Sequence, residues 1–268
     1  MTGQGGYTFR LDAAEVARFR DMAANAQRHE HDLWDRAGIG PGAVVVDLGC
    51  GPGAISRLLA DLVGPRGSVI AVDADPVACQ RVRGMADATA TADAAPISVV
   101  CADAADNGLG AGTADVVVLR NVLVHNGPRA GAILAAAAEL LVPGGHLLSA
   151  EPDVEGIDFG RAVDERAYED RWARMMRADG HDPALGRDDH LPALLERHGW
   201  RVVASRSWTD RLQVERSPAW AAADRIVSRG FATEAEVDTW RRALEARQAR
   251  GPLACALTMN TVVATPTA

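Results

Sequence analysis

Val44-Val45-Val46-Asp47-Leu48-Gly49-Cys50-Gly51-Pro52-Gly53-Ala54-Ile55-Ser56 is the stretch whose reading decides the fold. The β-branched opening predicts a buried strand, the alternate glycines a tight turn, and the apolar spacing of Ile55 to Leu62 a helix. Glycine lets the backbone turn sharply and lets a ligand lie against bare main chain. Strand, glycine turn and helix together make a nucleotide-type site at the carboxyl edge of a parallel sheet.

Three features argue against a phosphate ligand. The pattern Asp-x-Gly-x-Gly-x-Gly differs from the Gly-x-Gly-x-x-Gly of dinucleotide sites. Asp47, just before the loop, would repel a pyrophosphate. The chain contains no lysine, so a Gly-Lys-Ser/Thr phosphate loop is excluded. S-adenosylmethionine (SAM) carries an ammonium and a sulfonium and no phosphate, and an acid beside a glycine loop suits it. On Asp47, Gly49, Cys50, Gly51 and Gly53 the chain resembles the class I SAM-dependent methyltransferases, whose first motif has this form. A βα turn that binds nothing is the alternative.

The resemblance continues along the chain. Ser68 to Asp73 reads as a second strand ending in an acid, and the family places the two ribose hydroxyls there, on Asp73 with Ala74 beside it. Asp75 before Pro76 reads as the next helix cap. Ile97 to Val100 is a third strand. The family implies that the acid after it, Asp103, accepts from the adenine amino group while the amide of Ala104 faces the ring; a turn aspartate bonding its own loop is the other reading. Ala114 to Leu119 is a fourth strand. Arg120-Asn121-Val122-Leu123-Val124-His125 matches the family's Arg-x-x-Leu-x-His sequel, which puts Arg120 among the cofactor residues. A helix from Ala130 to Leu141, the breaker Val142-Pro143-Gly144-Gly145 and a fifth strand from His146 to Ala150 follow, with Glu151-Pro152-Asp153 at its exit.

The flanking regions are less patterned. Leu11, Val16, Phe19, Met22, Ala23, Ala26 and Leu33 recur at helical spacing, and Asp12 precedes Glu15 as in a capping box. In the resembled family such N-terminal helices cover the cofactor site or join copies of the chain into a homo-oligomer. Tyr7 and His29-Glu30-His31 either reach the pocket or, for the latter, form a solvated face with incidental histidines. After Asp153, helices are expected over Arg166–Arg177, Leu191–Arg197, Ser217–Arg229 and Thr233–Arg250. Strands are expected over Trp200–Trp208 and Leu257–Ala264, the last antiparallel to its neighbour. Trp172, Met175 and Met176 either line an apolar substrate cavity or pack in the core.

The expected architecture is therefore α/β: a Rossmann-like, seven-stranded, mostly parallel sheet with helices on both faces, N-terminal helices and a helical lid. One domain is expected, with a helical segment at 1–38, a SAM-binding core at 39–152 and substrate-side insertions at 153–200 and 209–256. A net charge of -8 and a pI near 5.4 disfavour nucleic acid, because neutralising phosphates takes a basic surface. Cys50, Cys79, Cys101 and Cys255 have no ligand spacing, so neither a metal nor disulfides are expected, and no run reaches membrane-spanning length. The expected setting is the cytoplasm.

The expected function is methyl transfer from SAM to a small molecule, a secondary metabolite among the candidates, with S-adenosylhomocysteine (SAH) as product. The alternative is a SAM-binding protein that catalyses a non-methylating rearrangement or serves a regulatory role. Candidate proton acceptors are His125, His181 beside Asp182, and Glu151. A histidine suits that role because its ordinary pKa of about 6.5 lies near neutrality.

Overall fold

The computed structural model describes residues 13–159, 163–213, 217–251 and 253–267. Tyr7 and the Asp12 cap lie outside the described residues. The elements run α1 (Ala13–Ala37), β1 (Val44–Leu48), α2 (Ala54–Val63), β2 (Ser68–Asp73), α3 (Pro76–Thr89), β3 (Ile97–Cys101) and β4 (Ala114–Arg120). They continue as α4 (Ala130–Leu140), β5 (Leu141–Asp158), α5 (Val163–Ala178), α6 (His190–Arg197), β6 (Trp200–Gln213), α7 (Pro218–Ala221), α8 (Ala223–Ser228), α9 (Glu234–Gln248) and β7 (Ala254–Pro266).

The strands form one sheet in the order β3-β2-β1-β4-β5-β7-β6. The first five are parallel, and β7 runs antiparallel to both its neighbours. Strand order reverses direction at β1, which lies between β2 and β4, and this reversal opens a crevice at the carboxyl ends of the strands. Alternation along each strand assigns the two faces. Val45, Val69, Val116, Val118 and Leu148 pack with Leu33 and Trp34 of α1 and Leu59 and Val63 of α2. Val46, Leu48, Val117, Leu119 and Leu147 pack with α4, α5, α6 and α9 on the opposite side. Buried side chains of the size of Leu33 each contribute about 1.5–3 kcal/mol, which is what fixes α1 on the sheet.

One expectation changes at strand five. It does not end at Ala150 but runs to Asp158, because β7 supplies partners for the extra residues: Glu151 pairs with Asn260, Pro152 with Met259 and Asp153 with Thr258. Tyr168, Trp172, Met175 and Met176 of α5 are buried in the same core as β5 and α9. Between Ser217 and Arg229 the single expected helix is divided at Ala222 into α7 and α8.

Candidate functional site

The glycine loop leaves β1 with Gly49, Gly51 and Gly53 all at positive φ. At Gly49 a side chain is also excluded by contact: a Cβ would lie 2.5 Å from Val122 Cγ2. The amides of Gly49 and Cys50 donate to the carbonyl of Val72, at 2.7 and 3.0 Å, tying the loop to the end of β2. Asp73 then braces it from the side. Its Oδ2 accepts from the Gly51 amide and its Oδ1 from the Asp75 amide, both at 2.8 Å. Asp75 caps α3 through the Val77 amide, as Pro76 implied. Ala74 is exposed beside it.

Asp47 lies beneath the loop, enclosed, and accepts a 2.5 Å hydrogen bond from the Ser56 hydroxyl. Burial pushes its carboxyl up to about 6, against the lowering effect of Ser56. Cys50 is buried beside it, and its thiol is pushed up by the same desolvation. Over the loop lies α1: Phe19, Met22 and Ala23 close a cavity of about 30 Å³ whose other walls include Asp47, Gly49, Cys50, Arg120 and Asn121. That is room for about one water.

Arg120 reaches this cavity from the end of β4, and its partner was not foreseen. Glu30 of α1 is fully buried, not part of a solvated face, and takes Arg120 Nη1 on both oxygens at 2.8 and 2.9 Å. The indole N–H groups of Trp34 and Trp208 donate to the same carboxylate. His29 stacks on Trp208, and only His31 is exposed as expected. Two buried polar atoms on the cavity residues have no partner among the described residues: Arg120 Nε, a donor, and Asn121 Oδ1, an acceptor. Asn121 is also the one non-glycine residue described at positive φ, at 55°.

At the carboxyl end of β3, Asp103 and Ala104 form a turn in which the Ala105 amide donates to Asp103 Oδ1 at 2.8 Å. Arg129, another residue the sequence reading passed over, grips both Asp103 oxygens at 2.6 and 2.8 Å and holds that carboxyl below its usual range. The Ala105 contact is that of an aspartate bonding its own loop.

The three candidate proton acceptors divide. His125 and His181 come together from distant parts of the chain, with their Nδ1 atoms 3.0 Å apart and their rings perpendicular. Burial and the neighbouring His181 push His125 down to about 3; His181 is lowered too, chiefly by burial, with Asp179 opposing. Asp182 does not orient His181 through its ring; its amide donates to the Val124 carbonyl and so docks the loop. Glu151 anchors the backbone that leads into His125. It is fully buried, and its carboxylate accepts the amides of Val122, Leu123 and Val124 at 3.0–3.2 Å. Burial pushes it up to about 7.

Among the described residues no group of three or more histidines, cysteines or acids is placed to hold a metal, and no helix is long and apolar enough to cross a membrane.

Known proteins share parts of this sequence and its fold. A family model described as a methyltransferase domain matches residues 45–145, the stretch from β1 into β5. The crystal structure of a SAM-dependent methyltransferase from Aquifex aeolicus shares the fold, at TM-score 0.53 and 12% identity over 94% of this chain and 100% of that one. The nocamycin O-methyltransferase of Saccharothrix syringae is 36% identical over 51% of this chain and 45% of its own length. The chain spans about half the length of two of the curated relatives it matches. The ribosomal RNA large subunit methyltransferase E of Alkalilimnicola ehrlichii is 31% identical, with 68% of this chain aligned. That alignment covers 87% of the relative's own length, and on it the chain belongs to the class I SAM-dependent methyltransferases.

Proposed function

We propose that this chain transfers a methyl group from SAM to a small-molecule acceptor. The observation that carries the reading is the orphaned pair at the cavity, the Arg120 Nε donor and the Asn121 Oδ1 acceptor. A donor and an acceptor on neighbouring residues suit the carboxylate and ammonium of an amino acid, the end of SAM expected at a glycine loop with Asp47 beneath it. On this reading Gly49, Cys50, Gly51 and Gly53 present main chain, Asp73 with Ala74 takes the ribose, and Asp103 with Ala104 takes adenine. Asp47 supplies negative charge for the cationic end.

SAM supplies an electrophilic methyl carbon, which bonds to the acceptor's lone pair as the carbon–sulfur electron pair returns to sulfur. The chain's contribution is mostly to align the partners. The proton of the acceptor goes to the His125–His181 pair, which Glu151 holds in place through the amides preceding His125. The small-molecule class is supported by the acidic surface and by the nocamycin relative, whose name gives an O-methylated small molecule. A secondary metabolite in the cytoplasm is the setting we infer from these and from the cysteine spacing.

The test is calorimetric titration with SAM and SAH, followed by SAH detection in reactions with a panel of phenols, carboxylic acids and amines. Binding in the micromolar range with SAH formed on one acceptor class is expected. Binding without SAH formation on any acceptor would move the chain to a non-methylating role, and SAH formed only with RNA would overturn the small-molecule assignment.

A further inference from the structure

We infer that Glu30 is a positioning residue for the cofactor's amino-acid end, acting through Arg120. The inference rests on the reading that this cavity takes SAM. Glu30 is an acid with no exposure to solvent, and its two oxygens accept four contacts: two from Arg120 Nη1, one from Trp34 and one from Trp208. Four contacts fill the acceptor capacity of a carboxylate. It therefore has nothing left to offer a ligand, and its role is directed inward.

The manner of pairing matters more than its existence. An arginine and a carboxylate usually meet through two nitrogens in parallel. Here Glu30 takes a single terminal nitrogen, Nη1, on both of its oxygens. That leaves the Nε–Nη2 edge of the guanidinium, the side-on edge that reads a second carboxylate bidentately, and Nε is the buried donor without a partner. The indoles of Trp34 and Trp208 keep Glu30 from rotating to claim that edge. Glu30 thus fixes the guanidinium of Arg120, a residue of the cavity wall, in an orientation that leaves Nε unpartnered. Glu30 lies on α1, the same helix whose Phe19, Met22 and Ala23 wall the cavity, so the cap and the cofactor's carboxylate share one anchor.

The experiment compares two ligands that differ only in the part at issue: SAH, which has the amino-acid end, and 5′-methylthioadenosine, which keeps the adenosine and sulfur but lacks it. In the Glu30→Gln variant, affinity for SAH should fall tenfold or more while affinity for 5′-methylthioadenosine stays within about twofold. A variant that merely loosens the fold would lose both equally, and that result overturns the proposal, as does unchanged SAH affinity. Should Glu30→Gln fail to fold, Trp208→Phe removes one of the four contacts; it should weaken SAH two- to threefold with 5′-methylthioadenosine unaffected, and equal losses again overturn the proposal. If the wild-type chain binds neither ligand, the SAM reading itself fails, a result separable from wild-type binding with equal losses in the variants.

Discussion

At the scale of single residues, Asp47 makes the site sensitive to pH. Burial raises its carboxyl to about 6, so in the free protein it is ionised above that pH and neutral below it. A bound cation favours the ionised form, so binding releases a proton below about pH 6 and affinity falls there by up to about tenfold per unit. Calorimetry from pH 5 to pH 8 should show SAM affinity rising to pH 6–7 and then flat, and Asp47→Asn should flatten the profile. The histidine pair makes a second prediction. Burial lowers both His125, to about 3, and His181, so on this reading the two share the proton across their 3.0 Å contact. His125→Ala and His181→Ala should each lower kcat about 10²-fold with SAM affinity within about threefold, and the double variant should be little worse than either, as groups acting as one unit behave. Additive losses would separate them.

Glycines show where sequence reading reaches and where it stops. The pattern Gly49-x-Gly51-x-Gly53 was legible as a turn, but not which glycine is indispensable. A Cβ at Gly51 would meet Phe19 at an ordinary 3.8 Å, so a side chain there is opposed by the φ of 53° more than by crowding. Gly49 is opposed by both. Gly49→Ala should therefore destabilise the fold by about 1–3 kcal/mol, more than Gly51→Ala, in chemical denaturation.

At the scale of elements, strands β1 to β4 fell where periodicity put them, because buried β-branched runs bounded by glycine and proline have few other solutions. Glu30 had a signal that went unread: Ala23, Ala26, Glu30, Leu33 and Ala37 follow one helical stripe, and an acid on a buried stripe needs a partner. That the partner is Arg120, from another layer, was not in the sequence. Nor was the meeting of His125 with His181, since loop docking by the Asp182 amide decides it. The element that covers the glycine loop is α1, whereas α5 is packed in the core, so SAH should slow hydrogen exchange over residues 16–26 more than over α5. Stronger protection of α5 would place the lid at residues 153–190. Glu151→Ala, which leaves three buried amides without an acceptor, should cost about 3 kcal/mol or more, read from the denaturation midpoint.

Over the whole molecule, the net charge of -8 predicts that RNA, if bound at all, is bound without the steep salt dependence of phosphate neutralisation. Filter binding between 50 and 200 mM salt checks this, and a steep slope would point to a local basic surface that the net charge hides.

The placing of β7 between β5 and β6 also bears on how the protein is made. Leu147 pairs with Ala264, and among the described residues β6 pairs in the sheet only with β7. During synthesis, the parallel half from β3 to β5 can assemble as it emerges, but β6 must wait as an unpaired ribbon until β7 leaves the ribosome. Such long-range pairing is slow and leaves hydrogen-bonding edges open to other chains. The exposed interval falls late, after the cofactor crevice between β1 and β4 already exists. A nascent chain could therefore bind SAM before its sheet is complete, and the cofactor would then act as a folding aid.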